Sequence, residues 1–258
     1  MEETSYGEIK AGKPEFEPRD LLVVPHKENP LVVSRFGLNN YKNNLQQMKG
    51  KFSCLPDYPQ ITFRPAITSE SISAVAYNFK NIAKPQIFDP NLLQAGYITR
   101  TSEGVFANPF DEQGNPLTDK KTLKLKLNGV KPIKVGKGNI YLCENGLAFA
   151  EYDSFKQGVQ SSEDFSRSGL ARILEHTEQE TAENLEAISS PKNYKLGVNV
   201  FGFEPIQESV LRVAGLFSCR LSGVGQLLVL GRNWSDGNGG FAFGVLNNTG
   251  EASAQNSE

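Results

Sequence analysis

The densest concentration of one kind of chemistry in this 258-residue chain is a run of lysines between residues 120 and 138. No acidic residue lies between Asp119 and Glu144. Ammonium groups at this density can neutralise the phosphates of a nucleic acid, or they can contact an acidic protein surface. We call residues 120–138 the lysine segment; its lysines are Lys120, Lys121, Lys124, Lys126, Lys131, Lys134 and Lys137.

Lysine and leucine alternate through the first half of the lysine segment, which is the pattern of a strand with two different faces. Asn128-Gly129 follows, and Asn-Gly between alternating stretches favours the tight turn of a hairpin. The sequence therefore predicts a hairpin of residues 122–127 and 130–135 with one lysine-bearing face. Pro132 cannot donate a ladder hydrogen bond, so we expect the second strand to lie at a sheet edge or to carry a bulge.

A second charged surface is predicted about 40 residues further along the chain. Apolar spacing and the capping residues Ser161 and Ser162 predict one long helix over residues 162–188, which Gly169 could divide in two. Seven acidic residues stand against two arginines there, so the helix would be strongly negative. The residues that we expect to form an acidic docking surface are Glu175, Glu178, Glu180, Glu183 and Glu186.

Three interpretations of the lysine segment follow from its composition. It could bind nucleic acid without reading sequence, keep an exposed strand soluble, or dock on the acidic helix of the same chain or of a neighbour. The net charge of the chain is −2, the segment contains no arginine, and few aromatic residues lie near it. These features favour a protein contact over nucleic-acid recognition.

Residues that could support catalysis or metal binding are few. The two histidines are His26, in a turn, and His176, which would share a helical face with Glu180. No metal-ligand spacing, nucleophile elbow or phosphate loop is present. The cysteines are odd in number and widely spaced, which indicates buried apolar residues rather than a disulfide or zinc site; they are Cys54, Cys143 and Cys219. The sequence thus predicts no catalytic residue, metal or cofactor.

The remaining patterns predict an α+β fold with antiparallel sheets and three to four helices, one of them long and acidic. Helices are expected at 39–51, 69–83 and 90–95, and strands at 21–24, 31–35 and 61–64. A second hairpin around Asn145-Gly146, with strands 140–143 and 147–152, would complete a central four-stranded meander. A C-terminal strand-rich region is expected at 195–203, 210–222, 226–233 and 241–246.

The expected organisation is one α+β domain over residues 21–248 between two flexible ends. Residues 1–20 form a polar, charged N-terminal arm and residues 249–258 a polar tail. Residues 103–121 are rich in turn formers, which favours a long loop acting as an internal hinge. No signal peptide or membrane-spanning stretch is apparent, so we expect the protein in the cytoplasm or within an assembled particle.

Together these features predict a non-enzymatic structural or assembly subunit of a multi-copy complex, of the kind found in viral or phage-like particles. Its partners would be copies of itself or other protein subunits, held by the terminal arms and by complementary charged surfaces. The alternative is a sequence-nonspecific nucleic-acid-binding subunit of a ribonucleoprotein complex. A second alternative is an enzyme whose site has no recognisable motif.

Overall fold

The computed structural model describes residues 21–27, 29–36, 40–50, 63–81, 92–111, 113–221, 224–233 and 240–246. The expected N-terminal arm, the expected C-terminal tail and Cys54 lie outside these residues. The described part mixes helices with mostly antiparallel strands, so the expected α+β class is confirmed.

The helices are α1 (Tyr41–Gly50), α2 (Thr68–Asn81), α3 (Lys120–Leu125), α4 (Ser162–Ser166), α5 (Gly169–Glu175) and α6 (Glu183–Ser189). The strands are β1 (Leu21–Val24), β2 (Leu31–Phe36), β3 (Phe63–Pro65), β4 (Leu93–Arg100), β5 (Gly104–Ala107), β6 (Ile133–Val135), β7 (Gly138–Leu142), β8 (Ala148–Glu151), β9 (Gly158–Gln160), β10 (Val198–Phe201), β11 (Val210–Leu221), β12 (Val224–Asn233) and β13 (Ala242–Leu246).

The strands form two sheets. A small sheet has the order β1-β2-β13-β3, and a large sheet of nine strands has the order β6-β7-β8-β5-β4-β11-β12-β10-β9. Neighbouring strands are antiparallel except β10 and β12, which are parallel. A parallel bridge between Leu93 and Phe241 joins the large sheet to the residue that precedes β13.

The large sheet is strongly curved around α5. Strands β8 and β9 are six strand positions apart, so a flat sheet would separate them by roughly 29 Å. Only seven Cα–Cα steps connect Glu151 to Gly158, which span at most roughly 25 Å, and a 3-10 turn at Tyr152–Ser154 shortens that reach. The sheet must therefore curl, and α5 packs on its inner face with every residue from Gly169 to Leu174 buried.

The main hydrophobic core lies on this inner face. It joins α2, α5 and α6 to the inward-facing side chains of the large sheet, with Ile72, Ile173 and Leu185 at its centre. A second cluster lies around Phe63 and Val213, where the small sheet meets the large one. A third cluster, which includes Phe106, Leu123 and Phe149, lies beneath α3.

The hairpin predicted over residues 122–127 and 130–135 is wrong in its first strand, which is helix α3. Asp119 caps this helix by accepting a hydrogen bond from the Thr122 amide at 2.7 Å. A helix turns neighbouring side chains apart, so Leu123 is fully buried while Leu125 is 66% exposed. The alternating leucines therefore do not share one face. The cap at Asp119 and the burial of Leu123 favour a helix over the strand that the alternation predicts.

The second strand of that hairpin is present with a different partner. Strand β6 follows Pro132 and pairs with β7 across the turn at Gly136-Lys137. It is an edge strand of the large sheet, as Pro132 indicated. The hairpin around Asn145-Gly146 is confirmed as β7 and β8.

The expected four-stranded meander has only three consecutive strands, β6, β7 and β8. Its fourth position is filled by β5, which comes from the loop expected over residues 103–121 and is buried throughout. The helix expected at residues 90–95 is also wrong, because β4 begins at Leu93. All eight residues of β4 are buried, and a strand covered on both faces lacks the alternation that identifies a strand in sequence.

The single long acidic helix is wrong as well, since residues 162–188 form α4, α5 and most of α6. Ser168 caps α5 by accepting from the Ala171 amide at 3.2 Å. His176 ends α5 in the left-handed conformation, with φ 54°. Within the C-terminal region, the expected strands are confirmed as β10, β11, β12 and β13.

Candidate functional site

Two of the seven lysines are neutralised within the chain. Lys120 and Lys124 lie one turn apart on α3, and both form ion pairs with Glu103, which precedes β5. Hydrogen bonds from Lys120 and Lys124 lower the pKa of the Glu103 carboxyl. All three side chains are partly exposed, so each pair contributes at most about 1 kcal/mol to stability. A spacing of four places Lys120 and Lys124 on one face of a helix, but only the fold identifies Glu103 as their shared partner.

The other five lysines have no acidic partner within 4 Å among the described residues. Four of them are exposed and Lys126 is half-buried. The Lys134 Nζ donates to the Lys137 carbonyl at 2.8 Å, which leaves its charge unpaired. These lysines lie on α3, which covers β5 and β8, on the turn after it, and on the β6–β7 hairpin at one edge of the large sheet; we call them the basic margin. The exposed lysines are Lys121, Lys131, Lys134 and Lys137.

The five acidic residues of the expected docking surface divide into two groups. Glu175 is held inside the protein, where its carboxylate accepts hydrogen bonds from the Asn184 and Leu185 amides, both at 3.1 Å, and so caps α6. Burial raises the pKa of its carboxyl. The other four are exposed and remain on the surface of the α5–α6 connection and of α6; they are Glu178, Glu180, Glu183 and Glu186.

The exposed lysines and the exposed acidic residues do not pair with each other in the described part of the chain. The ion pairs there join the lysine segment to Glu103, and the acidic stretch pairs only locally, through Glu163 and Arg167 at 3.1 Å. Docking of the lysine segment on the acidic stretch within one chain is therefore absent from the described residues. Both surfaces are available to another molecule.

An open cleft of about 700 Å³ borders the lysine segment. Its lining includes the rings of Tyr141 and Phe149, whose centroids are 6.0 Å apart. Its rim carries one lysine, Lys124, against three carboxylates that sequence reasoning did not single out. These are Glu103, Glu151 and Asp153. Carboxylates outnumber the lysine, so the cleft disfavours a polyanionic ligand at this end of the lysine segment.

Two groups of the cleft are already engaged. The Glu151 carboxylate accepts from the Asn139 amide at 2.8 Å and from its side chain at 2.9 Å. Tyr152 donates to the Thr101 carbonyl at 2.9 Å, and burial raises the pKa of Tyr152 to about 12. The Tyr152 hydroxyl thus stays protonated. Hydrogen bonds within the chain hold both polar groups in place, which suits a contact surface.

The two histidines come close together although 150 positions separate them in sequence. The His26 Nδ1 and the Ser73 hydroxyl are 2.8 Å apart. The His176 Nε2 donates to the Cys143 carbonyl at 2.9 Å, and the Lys27 Nζ donates to its Nδ1 at 3.3 Å. Burial lowers the pKa of both imidazoles below 6.5. The expected pairing of His176 with Glu180 on one helical face is wrong, because α5 ends at Glu175.

A serine beside a histidine is half of a nucleophilic site, which also needs a group that orients the histidine. Glu70 is the acidic residue whose charge acts on His26, but its carboxylate binds the Arg64 guanidinium at 2.6 and 2.7 Å. It also accepts from the Ile67 amide at 2.9 Å. Glu70 therefore holds β3 to the start of α2, which is a structural role and leaves His26 without an orienting carboxylate among the described residues.

The described residues contain no group of three or more His, Cys, Asp or Glu side chains arranged to hold a metal ion. No helix among them combines the length and the apolar character needed to cross a bilayer. Cys143 is a buried free thiol and Cys219 a partly buried one. Comparison with known protein families, with curated proteins and with solved structures found no match.

Proposed function

We propose that the protein is a non-enzymatic assembly subunit of a multi-copy complex, in which the basic margin of one copy contacts the exposed acidic surface of the next. The observation that carries this proposal is that both charged surfaces are exposed and unpaired with each other within the described chain. A contact between two different surfaces of identical subunits repeats head to tail, and it builds a ring or a filament.

Two features favour a protein partner over nucleic acid. The exposed lysines are spread over a helix, a turn and a hairpin, and none of them is supported by an arginine within the lysine segment. The adjoining cleft carries three carboxylates, which would repel a phosphate backbone following the same surface. A protein surface that is acidic overall, but also carries lysines and apolar groups, can contact both the exposed lysines and the carboxylates of the cleft.

The first experiment measures molar mass by size-exclusion chromatography with light scattering, across protein concentration and salt. We expect species larger than a monomer at low ionic strength whose molar mass falls as salt is added, because ion pairs between exposed side chains are screened at about 0.15 M salt and above. A monomer at every concentration and every ionic strength would overturn the proposal.

Charge reversal on each surface makes the test specific. One variant replaces Lys121, Lys131 and Lys137 by glutamate, and the other replaces Glu178, Glu183 and Glu186 by lysine. Each variant alone is expected to lose the head-to-tail contact, since its two surfaces now carry charge of the same sign. A mixture is expected to assemble again with the two variants alternating, because every contact between different variants then joins a basic surface to an acidic one.

A matched control reverses exposed charges elsewhere, with Lys192→Glu and Glu208→Lys. It is expected to assemble like the unmodified protein. Failure of the mixture to assemble would contradict the head-to-tail contact. Tight binding of RNA or DNA that the lysine variant loses would favour the nucleic-acid alternative instead.

A further inference from the structure

Strand β9 is an unprotected edge of the large sheet. It pairs with β10 on one side, and no described strand pairs with it on the other. Edge strands expose backbone donors and acceptors, and proteins usually guard them with lysine or proline. The opposite edge strand, β6, is guarded in this way by Pro132 and Lys134. The centre of β9 is instead Val159, a β-branched apolar residue that is 68% exposed.

The exposed valine belongs to an apolar surface on the outer face of the sheet. Val159 lies opposite Asn199, so it shares a face with Phe201, two residues further along β10 and 37% exposed. On β12 the same face carries Leu228 and Leu230, which are half-buried. The alternate residues of β10, by contrast, are fully buried in the core. The outer face thus combines an open strand edge with an apolar surface, the features of a strand-pairing interface.

The charges that flank β9 point to a second copy of the chain as the occupant. Lys156 lies three residues before Val159, and Glu163 and Asp164 lie four and five residues after it; all three are exposed. If two copies of β9 pair antiparallel about Val159, Lys156 of each copy comes next to the first turn of α4 of the other. Glu163 there already pairs with Arg167 at 3.1 Å, so Asp164 carries the acidic charge that is free to attract Lys156. The attraction occurs twice, as a twofold contact requires.

We infer that two copies of this protein associate through β9, with the strands antiparallel and Val159 at the twofold axis. The two nine-stranded sheets then become one continuous sheet, and Val159 and Phe201 of both copies are covered. This contact uses neither the exposed lysines of the lysine segment nor Glu178, Glu180, Glu183 and Glu186. It is therefore a second interface, independent of the proposed head-to-tail contact.

Sedimentation at high salt separates the two interfaces. At about 1 M NaCl the Debye length is about 3 Å, so a contact between exposed charges is weakened while apolar burial persists. We expect a dimer under these conditions, and we expect Val159→Lys to make it monomeric while Val159→Thr, which keeps the β-branch, weakens it less. Thermal unfolding of each variant as a monomer checks that the fold is intact. The inference is overturned if the unmodified protein is a monomer at high salt, or if Val159→Lys leaves the dimer unchanged. Neither result bears on the head-to-tail proposal.

Disulfide trapping tests the register. Residues directly opposite in an antiparallel pair have Cβ atoms about 4.5–5.5 Å apart, close enough for a disulfide after a small adjustment. In a background with Cys54 and Cys219 replaced by serine, Val159→Cys is expected to form a covalent dimer under mild oxidation. Gln113→Cys, at an exposed position on a different part of the chain, is the control and is expected to remain monomeric. Equal dimer yields from the two variants would contradict the register.

The charge pairing offers a rescue experiment within one chain. Lys156→Glu alone and the double change Glu163→Lys with Asp164→Lys are each expected to weaken the dimer severalfold at about 0.15 M salt. Because the contact is isologous, combining all three changes in one chain restores opposite charges across the axis. The triple variant should therefore dimerise more tightly than either parent variant. If it dimerises more weakly than both, the antiparallel arrangement is wrong.

Discussion

Replacing Gly169 by alanine tests the packing of α5 inside the curved sheet. A Cβ on Gly169 would contact the Ser154 Oγ, and it would lie 2.6 Å from the Ser154 Cβ and 2.9 Å from the Ile140 Cγ2. Carbon atoms in ordinary contact are about 3.5–4.0 Å apart. Ser154 lies in the 3-10 turn after β8 and Ile140 lies on β7, so the added methyl group forces the helix away from two parts of the sheet.

The size of the effect follows from three contributions. Overpacking of this kind costs about 1–3 kcal/mol. Turning the Ser154 hydroxyl away breaks its 2.6 Å hydrogen bond to the Glu151 carbonyl, which costs about 0.5–1.5 kcal/mol. Alanine is favoured over glycine in a helix by about 0.5–1 kcal/mol. We expect a net loss of about 2 kcal/mol, which lowers Tm by roughly 4–8 °C in a domain of this size.

Urea and thermal unfolding of Gly169→Ala, Ser154→Gly and the double variant measure this effect. Ser154→Gly removes two of the three close contacts, so Gly169→Ala should cost less than about 1 kcal/mol in that background. The two substitutions are thus expected to be non-additive. An equal cost of Gly169→Ala in both backgrounds, or a stabilising effect in the native one, would refute the packing described for α5.

Three further predictions concern the start of α2 and the two histidines. Glu70→Gln weakens the bond to the partly exposed Arg64, and we expect a loss of about 1–2 kcal/mol in urea unfolding; an unchanged midpoint would contradict this. Asn108 has φ 53° and accepts a hydrogen bond from the Thr68 amide at 2.9 Å. Both Asn108→Ala and Asn108→Gly lose this bond, but Asn108→Ala should be less stable by about 1 kcal/mol, because a left-handed backbone is strained for alanine and not for glycine. Equal free energies of unfolding would argue against strain at this position. Burial lowers the pKa of His26 and His176, so the unfolded state binds more protons below pH 6.5 and the free energy of unfolding falls as the pH drops through this range. The double variant with both histidines replaced by asparagine should lose less of its free energy of unfolding between about pH 7 and 5. An identical slope in the two proteins would contradict this.

Where one short-range interaction decides the structure, sequence reasoning succeeded. Asn145-Gly146 predicts the hairpin of β7 and β8 because only a few residues adopt the backbone of its turn. The apolar stripe of α2 predicts a helix because 14 residues contain several turns of the helical repeat, which makes the pattern distinct. The edge position of β6 follows from the missing amide of Pro132.

Sequence reasoning failed where two local structures fit the same residues. The six residues of α3 alternate like a strand, and only the cap at Asp119 and the packing of Leu123 against Phe106 and Phe149 select the helix. Strand β4 is buried on both faces, so its residues lack the alternation that would distinguish a strand from a helix. In each case at least part of the decision comes from contacts with residues distant in sequence.

The sequence by itself determined the fold class, most of the strands and the presence of separate basic and acidic stretches. Only the tertiary structure decided which charges remain available, because ion pairing depends on distance in space and not on spacing along the chain. Folding neutralises Lys120 and Lys124 with Glu103 and turns Glu175 inward as a helix cap. It leaves Lys121, Lys131, Lys134 and Lys137 exposed beside an acidic surface that they do not contact, and it places Val159 on an open sheet edge.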